Sequence, residues 1–249
     1  MADRELCQVA AVIPAAGIGR RMGTCASKAL FTLAGQSVLH LSLQAMVESG
    51  WLDVLVIVAR AEEMDTISAL LADWPPVPTA IVPGGAERSD SVRAGLEWLA
   101  VWPDWLHEAR HFVAVHDAAR PLLSRVLWER ILGEALREGA AIPGLSPADT
   151  VKQVDGGGRV TATVSRENLM SVQTPQVFVF EKLLEAHRRA HQEGHQATDD
   201  AQIWEMSGWS VKVVPGEREN LKVTTPFDLV LAEAILRQRG FAHESGPGL

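Results

Sequence analysis

The chain has 249 residues, 47% hydrophobic and 22% charged, a balance that excludes disorder, collagen and coiled coil. Its net charge is −8, from 23 Lys and Arg against 31 Asp and Glu. That charge argues against nucleic acid or an anionic membrane as the main partner, but it allows a local cation cluster for a small phosphorylated ligand. Cys7 and Cys25 have neither metal-ligand nor redox spacing. Apolar runs such as residues 54–59 are too short for a bilayer, and Asp3, Glu5 and Pro14 spoil a signal peptide. A cytoplasmic protein is expected.

In chain order, residues 8–13 read as a buried strand opening into Pro14-Ala15-Ala16-Gly17. Residues 37–48 have helical periodicity and stop at Ser49-Gly50. Residues 53–59 are apolar on both faces, as in a strand covered by helices on each side. A helix at 62–71, a strand at 79–82, a helix at 89–100 and a strand at 111–115 follow, with another helix starting near Ser124. This alternation predicts an α/β fold with a doubly wound, mostly parallel sheet. Ligands of such sheets bind beyond the carboxyl ends of the strands, which here means the loops 14–28, 83–91 and 116–121.

The pattern then changes. Residues 149–154 and 159–164 flank Asp155-Gly156-Gly157-Gly158 and predict a polar β-hairpin projecting as an arm over about 145–175. An unburied hairpin exposes its edges, and pairing with a second subunit would cover them, so a homodimer is expected. Helices at 180–192, 199–207 and 226–239 and a strand at 210–214 complete a single domain over 1–240, with 241–249 as a disordered tail.

The loop Pro14-Ala15-Ala16-Gly17-Ile18-Gly19-Arg20-Arg21-Met22-Gly23 has small residues that let backbone N–H groups approach phosphates. It fits neither the dinucleotide fingerprint nor a Walker loop. Arg21 and Lys28 on this loop are placed to hold a triphosphate. Asp117 in His116-Asp117-Ala118-Ala119-Arg120-Pro121 stands at a strand tip, where it could hold a nucleotide-borne cation or cap the next helix. Arg120 would serve an anionic substrate, and His116 reads as a packed histidine. Gly84 and Gly85 suit close approach to a base or ribose, with Ser89 or Asp90 as an N-cap. Lys222 is a phosphate ligand, Thr198 first an N-cap, and Thr225-Pro226 a helix start. Trp98, Trp102 and Trp105, at helical spacing, read as core or subunit contact.

Together and in this order these motifs resemble the 2-C-methyl-D-erythritol 4-phosphate cytidylyltransferases, from Val9 to about Ile235. The resemblance rests on Pro14-Ala15-Ala16-Gly17 with Arg21 and Lys28, on Gly84-Gly85 with Arg88 and Ser91-Val92, and on His116-Asp117-Ala118-Ala119-Arg120-Pro121. It continues through Asp149-Thr150-Val151-Lys152, Arg166, Gln173-Thr174-Pro175-Gln176, Thr198-Asp199-Asp200-Ala201 and Asn220-Leu221-Lys222-Val223-Thr224.

It implies a Rossmann-like nucleotidyltransferase fold and CMP transfer from CTP to methylerythritol phosphate, with pyrophosphate released and Mg²⁺ (or Mn²⁺) as cofactor. Arg21 and Lys28 match the catalytic cations. Pro14, Ala15, Ala16, Gly17, Gly85, Ser91 and Asp117 match the nucleotide side, Asp117 being linked to the metal. Ala118, Arg120, Thr150, Arg166, Thr198 and Lys222 match the substrate side, with Thr150 and Arg166 reaching the neighbouring subunit's site. The chain departs from the family at Ser27-Lys28-Ala29, where Pro-Lys-Gln is usual. Alternatives are a cytidylyltransferase for another polyol phosphate, such as ribitol 5-phosphate, and a non-catalytic nucleotide-binding homologue.

Overall fold

The computed structural model describes residues 7–17, 27–72, 74, 76–105 and 110–241. Its strands are β1 (Cys7–Pro14), β2 (Thr32–Leu33), β3 (Gln36–Ser37), β4 (Val54–Ala59), β5 (Thr79–Pro83), β6 (Arg110–Val115), β7 (Ala140–Leu145), β8 (Val151–Val154), β9 (Val160–Val164), β10 (Ser171–Val172), β11 (Gln176–Val179) and β12 (Lys212–Pro215). Its α-helices are α1 (Val38–Glu48), α2 (Met64–Leu70), α3 (Arg88–Leu99), α4 (Arg125–Glu138), α5 (Phe180–Gln192), α6 (Asp200–Met206) and α7 (Pro226–Gln238).

The main sheet runs β10-β7-β11-β6-β1-β4-β5, with β12 on the other edge of β7. β1, β4, β5 and β6 pair in parallel, and β11 is antiparallel to both β6 and β7. The central strands β1, β4 and β6 are buried on both faces, so alternate side chains feed two apolar layers. Val9, Ala11, Ile13, Leu55 and Ile57 pack with Leu39, Leu43 and Met46 of α1 and Trp128 and Ile131 of α4. Ala10, Val12, Val56 and Val58 pack on the opposite face with Val92, Leu96 and Leu99 of α3 and Leu183 of α5. The tryptophans follow the core reading: Trp105 is buried, and Trp98 and Trp102 pack against this second layer.

Local chemistry sets the helix ends. Ser37 and Ser124 accept hydrogen bonds from His40 N and Leu127 N, starting α1 and α4. Thr225 and Asp228 form a capping box at α7, with Pro226 in the first turn. The helix expected at 62–71 begins instead as a 3₁₀ turn, Ala61–Glu63, before α2. β7, β10 and β11 were not foreseen. Ala-Ala-Ile-Pro-Gly-Leu has no alternation and includes a proline, so β7 is a strand because β10, β11 and β12 flank it.

β8 and β9 pair only with each other, as a separate two-stranded sheet, and no residue from 146 to 172 is buried. Asp155 Oδ1 closes the turn by accepting from Gly157 N and Arg159 N, both at 2.9 Å. The expected tail beyond Phe241 lies outside the described residues.

Candidate active site

The ends of β1, β4, β5 and β6 are tied together before their loops diverge. Ala15 N donates to Val58 O, Gly84 N to Ala59 O and His116 N to Val12 O. The loops then enclose a cleft of about 280 Å³ at the carboxyl edge of the sheet. Its walls are Pro14, Ala15, Ala16 and Gly17 after β1, Gly85 to Arg88 with Ser91 after β5, and Asp117 to Ala119 after β6. Lys28, Lys222 and Thr224 close the remaining side.

Gly85 is required by packing. A Cβ there would stand 2.4 Å from the Asp90 Cβ. Its missing side chain makes room for the first turn of α3, not directly for a ligand. Gly85 N also donates to Ser91 Oγ at 3.2 Å. The helix start expected at Ser89 or Asp90 lies slightly earlier, at Glu87. Asp90 is the third helical residue and accepts from Glu87 N at 3.3 Å, completing a capping box.

Asp117 is the electrostatic centre. Its Oδ1 accepts from Arg88 Nε at 3.2 Å, and its Oδ2 lies 2.9 Å from Lys222 Nζ and 3.5 Å from Arg120 Nε. Burial alone would raise its pKa; the charges of Arg88, Lys222 and Arg120 overcome that and hold it far below the ordinary carboxylate range. Arg88 also donates from Nη1 to Asp200 Oδ2 at 2.8 Å, and Asp200 Oδ1 meets His187 Nε2 at 3.1 Å. Burial opposes the charge on Arg88, but Asp200 and Asp117 outweigh it and raise its pKa. Lys28 Nζ faces the same cleft and donates to the carbonyls of Val223 and Thr224 at 3.3 and 3.2 Å. Lys28, Arg88 and Lys222 therefore line one cleft, which suits a polyanion.

The segment Gln173-Thr174-Pro175-Gln176 supports this cluster from behind. Asp117 N donates to Thr174 Oγ1 at 3.0 Å, and Thr174 Oγ1 meets His116 Nδ1 at 3.1 Å. Asn220 Nδ2 donates to Thr174 O at 2.9 Å. Gln176 donates to Asp199 Oδ2 and accepts from Ala201 N, fixing the start of α6. One four-residue stretch thus orients the Asp117 loop, the Lys222 loop and α6.

A family model described as 2-C-methyl-D-erythritol 4-phosphate cytidylyltransferase matches residues 9–238. The chain belongs to this family. Proteins of that name from Pelotomaculum thermopropionicum and Saccharopolyspora erythraea are each 43% identical, over 93% and 92% of this chain and 95% and 99% of their own lengths. The crystal structure of the Thermus thermophilus cytidylyltransferase is 36% identical, with a TM-score of 0.72, covering 92% of this chain and 99% of that one. The 4-diphosphocytidyl-2C-methyl-D-erythritol synthase from Anaerococcus prevotii superimposes with a TM-score of 0.78 at 28% identity, covering 92% and 98%.

Of the residues that the cytidylyltransferase resemblance singled out, Pro14, Ala15, Ala16, Gly17, Lys28, Gly85, Ser91, Asp117, Ala118 and Lys222 all line the cleft. Arg21 lies outside the described residues. Arg120 does not line the cleft. It is buried beneath it and donates from Nη1 to Asn220 O at 2.8 Å, which makes it a strut between two loops. Thr150 and Arg166 sit on the exposed hairpin and its return, away from this chain's own cleft; Arg166 donates to the Ala148 carbonyl. Thr198 is not the N-cap of α6. Asp199 is, accepting from Gln202 N, while Thr198 donates from N and Oγ1 to Gln202 Oε1.

The sequence reading gave Arg88 no role. Two carboxylates wait for it at distant positions, Asp117 and Asp200, and only the fold brings them to one guanidinium. At Ser27, where the cytidylyltransferases usually carry proline, the backbone has φ −62° and ψ 140°, the conformation a proline adopts.

Proposed function

We propose that this chain transfers CMP from CTP to 2-C-methyl-D-erythritol 4-phosphate. The observation that carries the reading is one cleft at the carboxyl edge of the sheet lined by Lys28, Arg88 and Lys222, with Arg88 and Lys222 paired to the Asp117 carboxylate. In the reaction a phosphate oxygen of the acceptor attacks the α-phosphorus of CTP in line. The bond from that phosphorus to the bridging oxygen breaks, and pyrophosphate leaves. Two polyanions must be brought together, so the work asked of the protein is positioning and charge neutralisation. Backbone at Ala15, Ala16 and Gly17 approaches the triphosphate, Arg21 and Lys28 neutralise charge on the leaving pyrophosphate, and Lys222 serves the acceptor phosphate.

A divalent cation fits this site in one way. Among the described residues no cluster of three or more His, Cys, Asp or Glu side chains could hold a metal by itself. Asp117, held well below the ordinary carboxylate range by Arg88, Lys222 and Arg120, is a carboxylate donor at the cleft, and a Mg²⁺ carried by nucleotide phosphates takes one or two carboxylates of this kind. When bound, Mg²⁺ or Mn²⁺ supplies charge stabilisation on the phosphoryl oxygens.

The acceptor side is completed by a second subunit. Thr150 and Arg166 lie on a hairpin with no buried residue of its own, so the reading places them in the neighbouring cleft of a homodimer. Residues 1–240 act as one nucleotidyltransferase unit. No helix among the described residues is long and apolar enough to cross a membrane, and a cytoplasmic setting is part of the proposal.

The experiment is a pyrophosphate-release assay with CTP and Mg²⁺ that compares methylerythritol phosphate with ribitol 5-phosphate. Strong preference for the first is expected. Preference for ribitol 5-phosphate would reassign the acceptor, and no release with either would favour a non-catalytic binding protein.

A further inference from the structure

The residue directly before Lys28 is joined to the end of β1 and to the turn before α2 by a clamp. Ser27 Oγ donates to Ala15 O at 2.7 Å and accepts from Ala29 N at 3.3 Å, so one hydroxyl joins Ala15 to the turn that carries Lys28. Ser27 N donates at 2.8 Å to Oε1 of Glu63, the last residue of the 3₁₀ turn that precedes α2. The same Glu63 oxygen accepts from Arg60 Nη2 at 2.7 Å. Ser27 and Glu63 are both buried, at 1% and 5% exposure. Among the described residues, Glu63 Oε2 has no hydrogen-bond partner.

A buried carboxylate with one oxygen unmet is costly unless its other contacts are needed. The Arg60 guanidinium balances the charge from one side at 2.7 Å, while the neighbouring Ala29 and Ala15 are apolar. Besides Arg60, the carboxylate holds the peptide N–H of Ser27, immediately before Lys28.

We propose that Glu63 and Ser27 are positioning residues that fix Lys28 in the cleft. Lys28 emerges directly from the clamped residue, and its Nζ is then held by Val223 O and Thr224 O of the loop that carries Lys222. With both ends tied, the ammonium group meets a bound triphosphate without a search through rotamers. A misplacement of about 1 Å at such a group can cost ~10²-fold in rate. The inference rests on the reading of Lys28 as a triphosphate ligand.

The test combines kinetics with amide hydrogen exchange on the full chain. Glu63→Ala should lower kcat/KM for CTP ~10- to 100-fold and leave KM for the acceptor little changed. Glu63→Gln keeps a carbonyl acceptor for Ser27 N and should retain most of the activity. Exchange in Glu63→Ala should rise at residues 27–29. In a Lys28→Ala background, adding Glu63→Ala should cost little more, because residues acting through one group are not additive.

Unchanged exchange, wild-type kcat/KM in Glu63→Ala, or an equal loss in both backgrounds would each overturn the proposal. Glu63→Gln separates these outcomes from simple misfolding, since it keeps the volume of the side chain. Wild-type turnover by Lys28→Ala alone would have a different signature: it would remove the reading of the cleft, and the proposal with it.

Discussion

At the scale of single residues, Asp117 illustrates how one carboxylate can serve both structure and chemistry. Its negative charge is shared among Arg88, Arg120 and Lys222, of which Lys222 is the most open, with 42% of its side chain exposed. Asp117→Asn keeps the shape but leaves three cations facing one another. We expect a higher Mg²⁺ requirement in turnover, because an amide is a weaker ligand for a hard cation. An unchanged Mg²⁺ titration would reduce Asp117 to an organiser of arginines.

His116, one residue earlier, has the opposite character. Burial is the main reason its pKa falls to about 4, and its ring nitrogens face Thr174 Oγ1 and Arg120 O. The network is satisfied by a neutral ring that accepts from the threonine and donates to the carbonyl. The unfolded chain takes up this proton near pH 6.5, before the folded one does. Stability is therefore full above about pH 6.5 and is lost as pH falls towards about 4, by ~3 kcal/mol. The depressed pKa of Asp117 acts only below the ordinary carboxylate range, so the two windows are separable. Denaturant unfolding across pH 4.5–7 should show this slope in the wild type, and His116→Gln should flatten it. A level wild-type profile would contradict a neutral buried ring.

At the scale of elements, the cleft depends on how closely α3 approaches the strand ends. Gly85→Ala would drive a Cβ into Asp90 and displace the first turn of α3, which carries Arg88 and Ser91. A loss of about 1–3 kcal/mol in stability is expected from such overpacking. A raised KM for CTP should accompany it, while the acceptor KM changes little. Equal effects on both substrates would mean that the loop after β5 serves the whole cleft.

Much of this geometry was legible in the sequence, since strands buried on both faces read as continuous apolar runs and the loops after them are fixed by topology. β1, β4, β5 and β6 were found in that way, close to their observed bounds. β7 and β11 were not, because their alanines, proline and short length carry no period, and neighbouring strands define them. Lys28, Asp117 and Lys222 could be placed because each stands at a loop following an identifiable strand or preceding an identifiable helix. Arg88 and Glu63 could not, because their meaning lies in partners 29, 112 and 36 residues away. The inner position of Arg120 escaped for a related reason: a sequence shows a cation but not which way it turns.

At the scale of the whole molecule, the hairpin β8–β9 is the feature that a lone chain explains least. Val154 and Val160 remain 53% and 61% exposed, and Arg166 near its return is on the surface. In the proposed homodimer, Arg166→Ala and Lys28→Ala disable different halves of a composite site. Equal mixing followed by subunit exchange places about half of the dimers in the mixed form, each with one complete site of two. Recovery near one quarter of wild-type activity is therefore expected. No recovery after demonstrated exchange would mean that the arm serves its own subunit or none.

The central claim is CMP transfer in the cleft that Lys28 lines. Its most direct measurement follows CTP labelled at the α-phosphorus, incubated with methylerythritol phosphate and Mg²⁺. The account predicts that the label moves to a diphosphate-linked cytidyl product with one pyrophosphate released per transfer, and that Lys28→Ala slows this by at least ~10²-fold. Label that stays in CTP, or that moves equally well without Lys28, would contradict it.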